Sequence, residues 1–148
     1  MPRIFSHQIE TALKYACSMK QIAVSWGPVI AYCAIIFIQS SHPSPDNFPR
    51  VPHLDKIAHV GMYAILSVLC FRALMQSLAG CRQLRIALLS VLMATLYGAS
   101  DELHQYFIPY RQADTLDLVA DAVGAVLGVL IWWAVIAVRT GKQPEFED

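Results

Sequence analysis

Three short stretches of this chain concentrate the side chains that can move protons, hold cations or grip polar ligands. The first is Asp55-Lys56, followed by His59 and Tyr63. The second is Asp101-Glu102-Leu103-His104-Gln105, and the third is Asp117 with Asp121, preceded by Arg111. His59, Asp101, Glu102 and His104 are candidates for general acid–base catalysis, since imidazole titrates near neutral pH and a carboxyl group can be tuned towards it. With Asp117 the same groups could ligate a divalent cation that bridges a phosphate. Lys56, Arg111 and His59 could instead meet an anionic headgroup, with Asp101, Glu102 and Asp117 orienting them or bonding sugar hydroxyls. Asp55, Tyr63, Gln105 and Asp121 complete the candidate ligand-binding set. No HExxH or comparable metal motif is present, so no metal ligand is assigned, and Ser100 beside Asp101 does not make a triad.

Helical spacing turns each stretch to one side. Asp55, His59 and Tyr63 stand four apart, and Asp101, His104 and Gln105 stand three and four apart, so each set forms a stripe. Asp117, Asp121, Gly124 and Gly128 follow the same rule, which makes the acidic stripe continuous with a GxxxG packing face. Each residue also has a plainer explanation. Asp55 suits a helix N-cap, His59 suits an interfacial histidine, and Asp114 and Asp117 suit the positive end of a helix dipole. Those explanations do not reach Asp101 and Glu102, which fall where a helix ends and its dipole disfavours acids. They also leave Asp121 about a turn inside an apolar run.

The elements that must carry these residues are four apolar runs. The first extends from Ile22 to Ile38, with Pro28 near its start, and a loop containing Pro43, Pro45, Pro49 and Pro52 follows it. The second runs from Asp55 to about Leu78 and turns at Gly80. The third covers Leu84 to about Phe107 before Pro109, and the fourth begins between Asp114 and Asp117 and ends at Val138. At about 1.5 Å per residue the last three span a hydrocarbon layer of roughly 30 Å, and the first just does so with the aid of its flanks. The expected fold is an all-α integral membrane four-helix bundle formed by residues 22–138. Residues 1–21 form an interfacial segment, with Ile9 and Leu13 on one side of a short amphipathic helix, and 139–148 form a hydrophilic tail. Residues 1–20 lack the early apolar core of a removable signal peptide.

Composition agrees. The 148 residues are 56% hydrophobic and 15% charged, against about a quarter charged in soluble domains, and the mean hydropathy is +0.46. Zero net charge gives no reason to expect nucleic acid as a partner. Cys17, Cys33, Cys70 and Cys81 show neither CxxC nor metal spacing, so no disulfide framework is expected. Leu78-Ala79-Gly80-Cys81 resembles a lipoprotein processing site, but it lies far from the N-terminus.

Charge placement orients the bundle. Arg3, Lys14, Lys20, Arg72, Arg82, Arg85, Arg139 and Lys142 fall on one side, against Arg50, Lys56 and Arg111 on the other. The positive-inside rule then places both termini in the cytoplasm and the first and third loops outside. Seven of the eleven acids (Asp46, Asp55, Asp101, Glu102, Asp114, Asp117 and Asp121) lie towards the outer side. The polar starts of the second and fourth runs and the polar end of the third therefore meet at one membrane depth. Ionisable groups there are functional candidates by default.

Taken in order, Phe37-Ile38-Gln39-Ser40-Ser41, Asp55-Lys56-x-x-His59 with Tyr63, and Tyr97-Gly98-x-Ser100-Asp101-Glu102-x-His104-Gln105 resemble the VanZ-like family. Pro109-x-Arg111, Asp117 and Gly124-x3-Gly128 extend the likeness over roughly residues 22–138. Two positions depart from the family pattern. Asp121 replaces a usual asparagine and adds a carboxylate, and Tyr110 replaces a glycine between the proline and the arginine. The resemblance implies a multi-pass protein of the bacterial cytoplasmic (inner) membrane, in a family named for a member linked to teicoplanin resistance. It implies no established activity. The expected partners are membrane lipids and a lipid-linked or cell-wall-related ligand held by an outer-face polar pocket. The alternative is an intramembrane acid/base or metal-assisted enzyme acting on a lipid-linked envelope substrate. The sequence names no cofactor, although these residues could hold a divalent cation, and the oligomeric state is not legible.

Overall fold

The computed structural model describes the backbone of residues 2–42, 54–78, 80–109 and 114–140, and side chains between 19 and 139 within those segments. The described chain is four helices: α1 (Pro2–Ser40), α2 (Leu54–Ser77), α3 (Gln83–Tyr106) and α4 (Thr115–Thr140). Each contains a segment long and apolar enough to cross a membrane, at Met19–Ser40, Leu54–Ser77, Gln83–Tyr106 and Thr115–Arg139. The protein is an all-α, multi-pass membrane bundle.

Local chemistry sets the helix ends. Gly80 has a positive φ of 90°, a conformation glycine adopts without steric cost, and it turns the chain between α2 and α3. At the end of α3 the amide of Phe107 donates to the His104 carbonyl and that of Ile108 to the Gln105 carbonyl, immediately before Pro109. Asp114 caps α4: its Oδ1 accepts from the Leu116 amide at 2.9 Å, and its carbonyl accepts from the Asp117 amide.

The N-terminal helix differs from the expectation. Its backbone is helical without a break from Pro2, so the N-terminal segment continues α1 instead of forming a separate short helix. Its 39 residues extend about 58 Å, well beyond a hydrocarbon core. Pro28 consequently sits deep inside a helix rather than near its start. It removes one backbone hydrogen bond there, a loss that membrane helices tolerate when nearby groups compensate.

The four helices are not equivalent. Among the described residues, α2 touches all three others, α3 and α4 pack on α2 and on each other, and α1 touches α2 and a small part of α3 but not α4. The α2–α4 seam is the tightest. A Cβ at Gly124 would lie 2.8 Å from the Val60 Cα, and one at Gly128 would lie 2.8 Å from the Ala64 carbonyl carbon. The expected packing role of both glycines therefore holds, with α2 as the partner. The core follows this seam: Tyr63, Leu66, Cys70 and Ala73 of α2 meet Ala94 of α3, Ala125 of α4, and Val29 and Ile36 of α1. Cys33, Cys70 and Cys81 are free thiols.

Candidate functional site

The end of the bundle where α2 and α4 begin and α3 finishes gathers most of the candidate residues. Lys56 is its cationic clamp. Its ammonium donates to Asp114 Oδ2 at 2.7 Å and to Asp117 Oδ1 at 2.8 Å, and lies 3.6 Å from Asp55 Oδ2. One α2 residue thereby ties down the first turn of α4. The Lys56 hydrogen bond, followed by that from the Leu116 amide, holds the Asp114 carboxyl below its ordinary range. The Asp114 amide in turn donates to Glu102 Oε2 at 3.0 Å, so the start of α4 also anchors the end of α3.

One turn deeper, His59 Nδ1 lies 2.8 Å from Asp121 Oδ1. Asp121 is fully buried at 0% exposure. Its carboxylate fits because Gly98 of α3 has no side chain: a Cβ there would lie 3.0 Å from both Cβ and Cγ of Asp121 and closer still to Oδ2. Tyr63, also wholly buried, stacks below His59 with ring centroids 6.2 Å apart. A carboxylate on one imidazole nitrogen fixes the ring's orientation and leaves Nε2 for other partners.

Asp101 and Glu102 are both buried, at 5% and 8% exposure, yet they serve different faces. Adjacent helical residues point about 100° apart. Glu102 turns to α4, whereas Asp101 accepts from Gln105 Nε2 at 3.0 Å and lines a cavity between α1, α2 and α3. That cavity measures about 110 Å³. Gln39, Ser40, Asp55, His59, Asp101 and Gln105 supply its polar wall, and Ile36, Ala58 and Met62 its apolar wall. Asp101 Oδ1, Glu102 Oε1, Asp121 Oδ2 and the Tyr63 hydroxyl are buried without a hydrogen-bond partner.

The remaining candidates are placed differently. His104 turns towards α1, where its Nε2 lies 3.0 Å from Ser41 Oγ and its ring stacks on Phe37 at 4.6 Å between centroids. Asp55 lies at the rim, with a largely exposed side chain. Arg111, expected as a partner of these acids, lies outside the described residues, as does the proline-rich first loop. Residues 10–137 match the family model described as VanZ/LLP1. The chain belongs to the VanZ/LLP1 family. No curated protein and no solved structure matches it. The VanZ/LLP1 match begins at residue 10 rather than 22, in keeping with the uninterrupted α1.

Four contributors are absent from the candidate set: Asp114, Gly98, and Gln39 and Ser40 of the cavity wall, which stand in the VanZ-like pattern with no assigned role. The sequence marks Asp114 as a helix start, whereas in the structure Lys56 donates to its carboxylate and its amide donates to Glu102. Gly98 stands in the VanZ-like pattern with no role that its sequence position assigns. A glycine inside an apolar helix costs about 1 kcal/mol relative to alanine; at Gly98 the approach of Asp121 accounts for it, whereas Gly27 and Gly61 have open space at the Cβ position. The sequence could not name Asp121 as the group that approaches.

Proposed function

We propose that this VanZ/LLP1 protein works in a bacterial cytoplasmic membrane with its polar end facing outward. There it binds the head group of a lipid-linked, cell-wall-related ligand. The observation that carries this reading is the mixed lining of the cavity. Polar groups from α1, α2 and α3 face apolar Ile36, Ala58 and Met62 at the end of the bundle where α1 and α3 finish and α2 begins. Such a lining suits an amphiphile whose head is polar and whose tail remains in lipid. The count of basic residues supports the orientation. Teicoplanin resistance, carried by the family resemblance, is a consequence to look for when the chain is overexpressed in a susceptible host.

The test compares a polyprenyl-diphosphate-linked sugar with the same sugar diphosphate lacking the lipid, both added to purified protein. The lipid-linked compound is expected to raise the melting temperature, and Asp101→Ala or Gln105→Ala to weaken it about tenfold. Equal binding of the soluble compound, or indifference to both substitutions, would contradict the reading.

The His59–Asp121 pair favours a second reading, that of an acid/base enzyme acting on the same ligand. A buried carboxylate behind an imidazole that lines a cavity is a recurrent arrangement for a general base. His59→Gln should then abolish release of a water-soluble head group while binding persists. Undiminished release would exclude His59 as that base.

A further inference from the structure

We infer that His59, Glu102 and Asp121 form a binding site for a divalent first-row transition ion, Mn²⁺ or Zn²⁺, embedded at the polar end of the bundle. One imidazole nitrogen of His59 and one carboxylate oxygen from each of Glu102 and Asp121 lie within 4.8 Å of one another. The three residues come from α2, α3 and α4, so a cation would join the three helices that form the tight core.

The hydrogen-bond inventory supplies the independent observation. Glu102 Oε2 is occupied by the Asp114 amide and Asp121 Oδ1 by His59, but Glu102 Oε1 and Asp121 Oδ2 have no partner although both side chains are buried. An unpaired carboxylate oxygen away from water costs several kcal/mol in a membrane interior. Lys56 does not offset it, because its ammonium is held by Asp114 and Asp117. A cation at the triplet would offset both carboxylates at once.

The donor set selects the ion. One imidazole with carboxylates suits manganese or zinc, whereas magnesium prefers oxygen ligands and retains its waters. The 2.8 Å hydrogen bond between His59 and Asp121 holds the imidazole beside that carboxylate, while Asp121 Oδ2 and Glu102 Oε1 are the oxygens left to ligate an ion. Binding would release the proton now shared by that pair.

The ion also gives the adjoining cavity an electrostatic sense. His59 belongs to both the triplet and the cavity wall. A divalent charge behind it would attract a phosphate-bearing head group to a face where acids outnumber bases. In this respect the inference rests on the proposed lipid-linked ligand, whereas occupancy by the ion itself does not.

The experiment is metal analysis of the purified full chain, stripped with chelator, reloaded separately with MnCl₂, ZnCl₂ or MgCl₂, and desalted. Wild type should retain close to one manganese or zinc per chain, retain no magnesium, and melt at a higher temperature when loaded. Glu102→Gln should weaken retention at least tenfold, as should Asp121→Asn if it folds. Asp55→Asn, which removes a rim carboxylate outside the triplet, should retain the ion. Folded wild type that keeps neither manganese nor zinc would overturn the site, as would Glu102→Gln retaining them as well as wild type. Lipid-linked ligand binding is then measured with and without the ion. Retained metal without ligand binding defeats the pocket reading alone, and ligand binding by metal-free protein that cannot be reloaded defeats the ion alone.

Discussion

The α2–α4 seam and the attachment of α1 are built on different physics. α4 lies directly against α2 because Gly124 and Gly128 remove the side chains that would separate them, and Lys56 and His59 then reach Asp114, Asp117 and Asp121 across the seam. α1 is held by separate polar clasps. Ser25 bonds to Gln76, the Trp26 indole donates to Ser77 Oγ at 2.9 Å, the Tyr97 hydroxyl donates to the Cys33 carbonyl at 2.7 Å, and His104 meets Ser41. Away from these points α1 presents Ile22, Val24, Ile30, Ile35 and Ile38 outward, as a lipid-facing helix should. In lipid no hydrophobic drive separates helix from solvent, so close packing and interhelical hydrogen bonds must do the work. The seam uses both at backbone contact distance, whereas α1 combines its hydrogen bonds with the burial of Val29 and Ile36 and has no glycine in close approach. The cavity opens beside the weaker attachment, and the fully buried acid lies within the stronger one.

The largest effect should come from filling the seam. Gly128→Leu or Gly124→Leu should cost about 3 kcal/mol or more by overpacking and lower folded yield in detergent. Unchanged yield and melting in both variants would remove the distinction between the seams. Next, His59→Ala leaves Asp121 buried and unpaired, a loss of about 3 kcal/mol. The double variant with Asp121→Ala should regain part of it, and strict additivity of the two single effects in thermal melts would show that the pair is not coupled. Gly98→Ala should cost about 2 kcal/mol because the new methyl displaces the Asp121 carboxylate, so combining it with Asp121→Ala should relieve most of the loss. Tyr97→Phe removes a single α1 clasp and should cost only about 0.6 kcal/mol. A Tyr97→Phe loss equal to that of Gly128→Leu would reverse the comparison.

A pH effect from the clamp is confined to acid. Lys56 lowers the Asp114 carboxyl below its ordinary value of 3.8, so its contribution is complete above that value and is lost as pH falls through the lower folded one. Melting measured from neutral pH down to mild acid should therefore be indifferent to Asp114→Asn in its slope, with the two curves converging only below that range.

Much of this was legible because membrane helices obey few rules. Apolar length marked four spans, and i, i+4 spacing joined Asp117 and Asp121 to the glycine face that the structure packs on α2. Convergence of α2, α3 and α4 at one end followed from where their polar residues lie. Finer assignments depend on rotation about each helix, which spacing within one helix does not determine relative to its neighbours. Asp101 and Glu102 were grouped, yet one faces the cavity and the other faces α4. His104 shares a stripe with Asp101, but α1 supplies its partners. The continuous α1 was hidden because charged residues interrupt the apolar pattern without interrupting the backbone helix.

The central claim is that the cavity between α1, α2 and α3 opens on the outer side and receives a lipid-linked head group. Its most direct test is a cysteine at Ala58, on the cavity's apolar wall, in a background with Cys17 and Cys81 replaced by serine. A membrane-impermeant thiol reagent should label Ala58→Cys in intact cells, and a polyprenyl-diphosphate-linked sugar should protect it in purified protein. Labelling only after the membrane is ruptured, or labelling that the lipid-linked sugar leaves unchanged, would contradict the account.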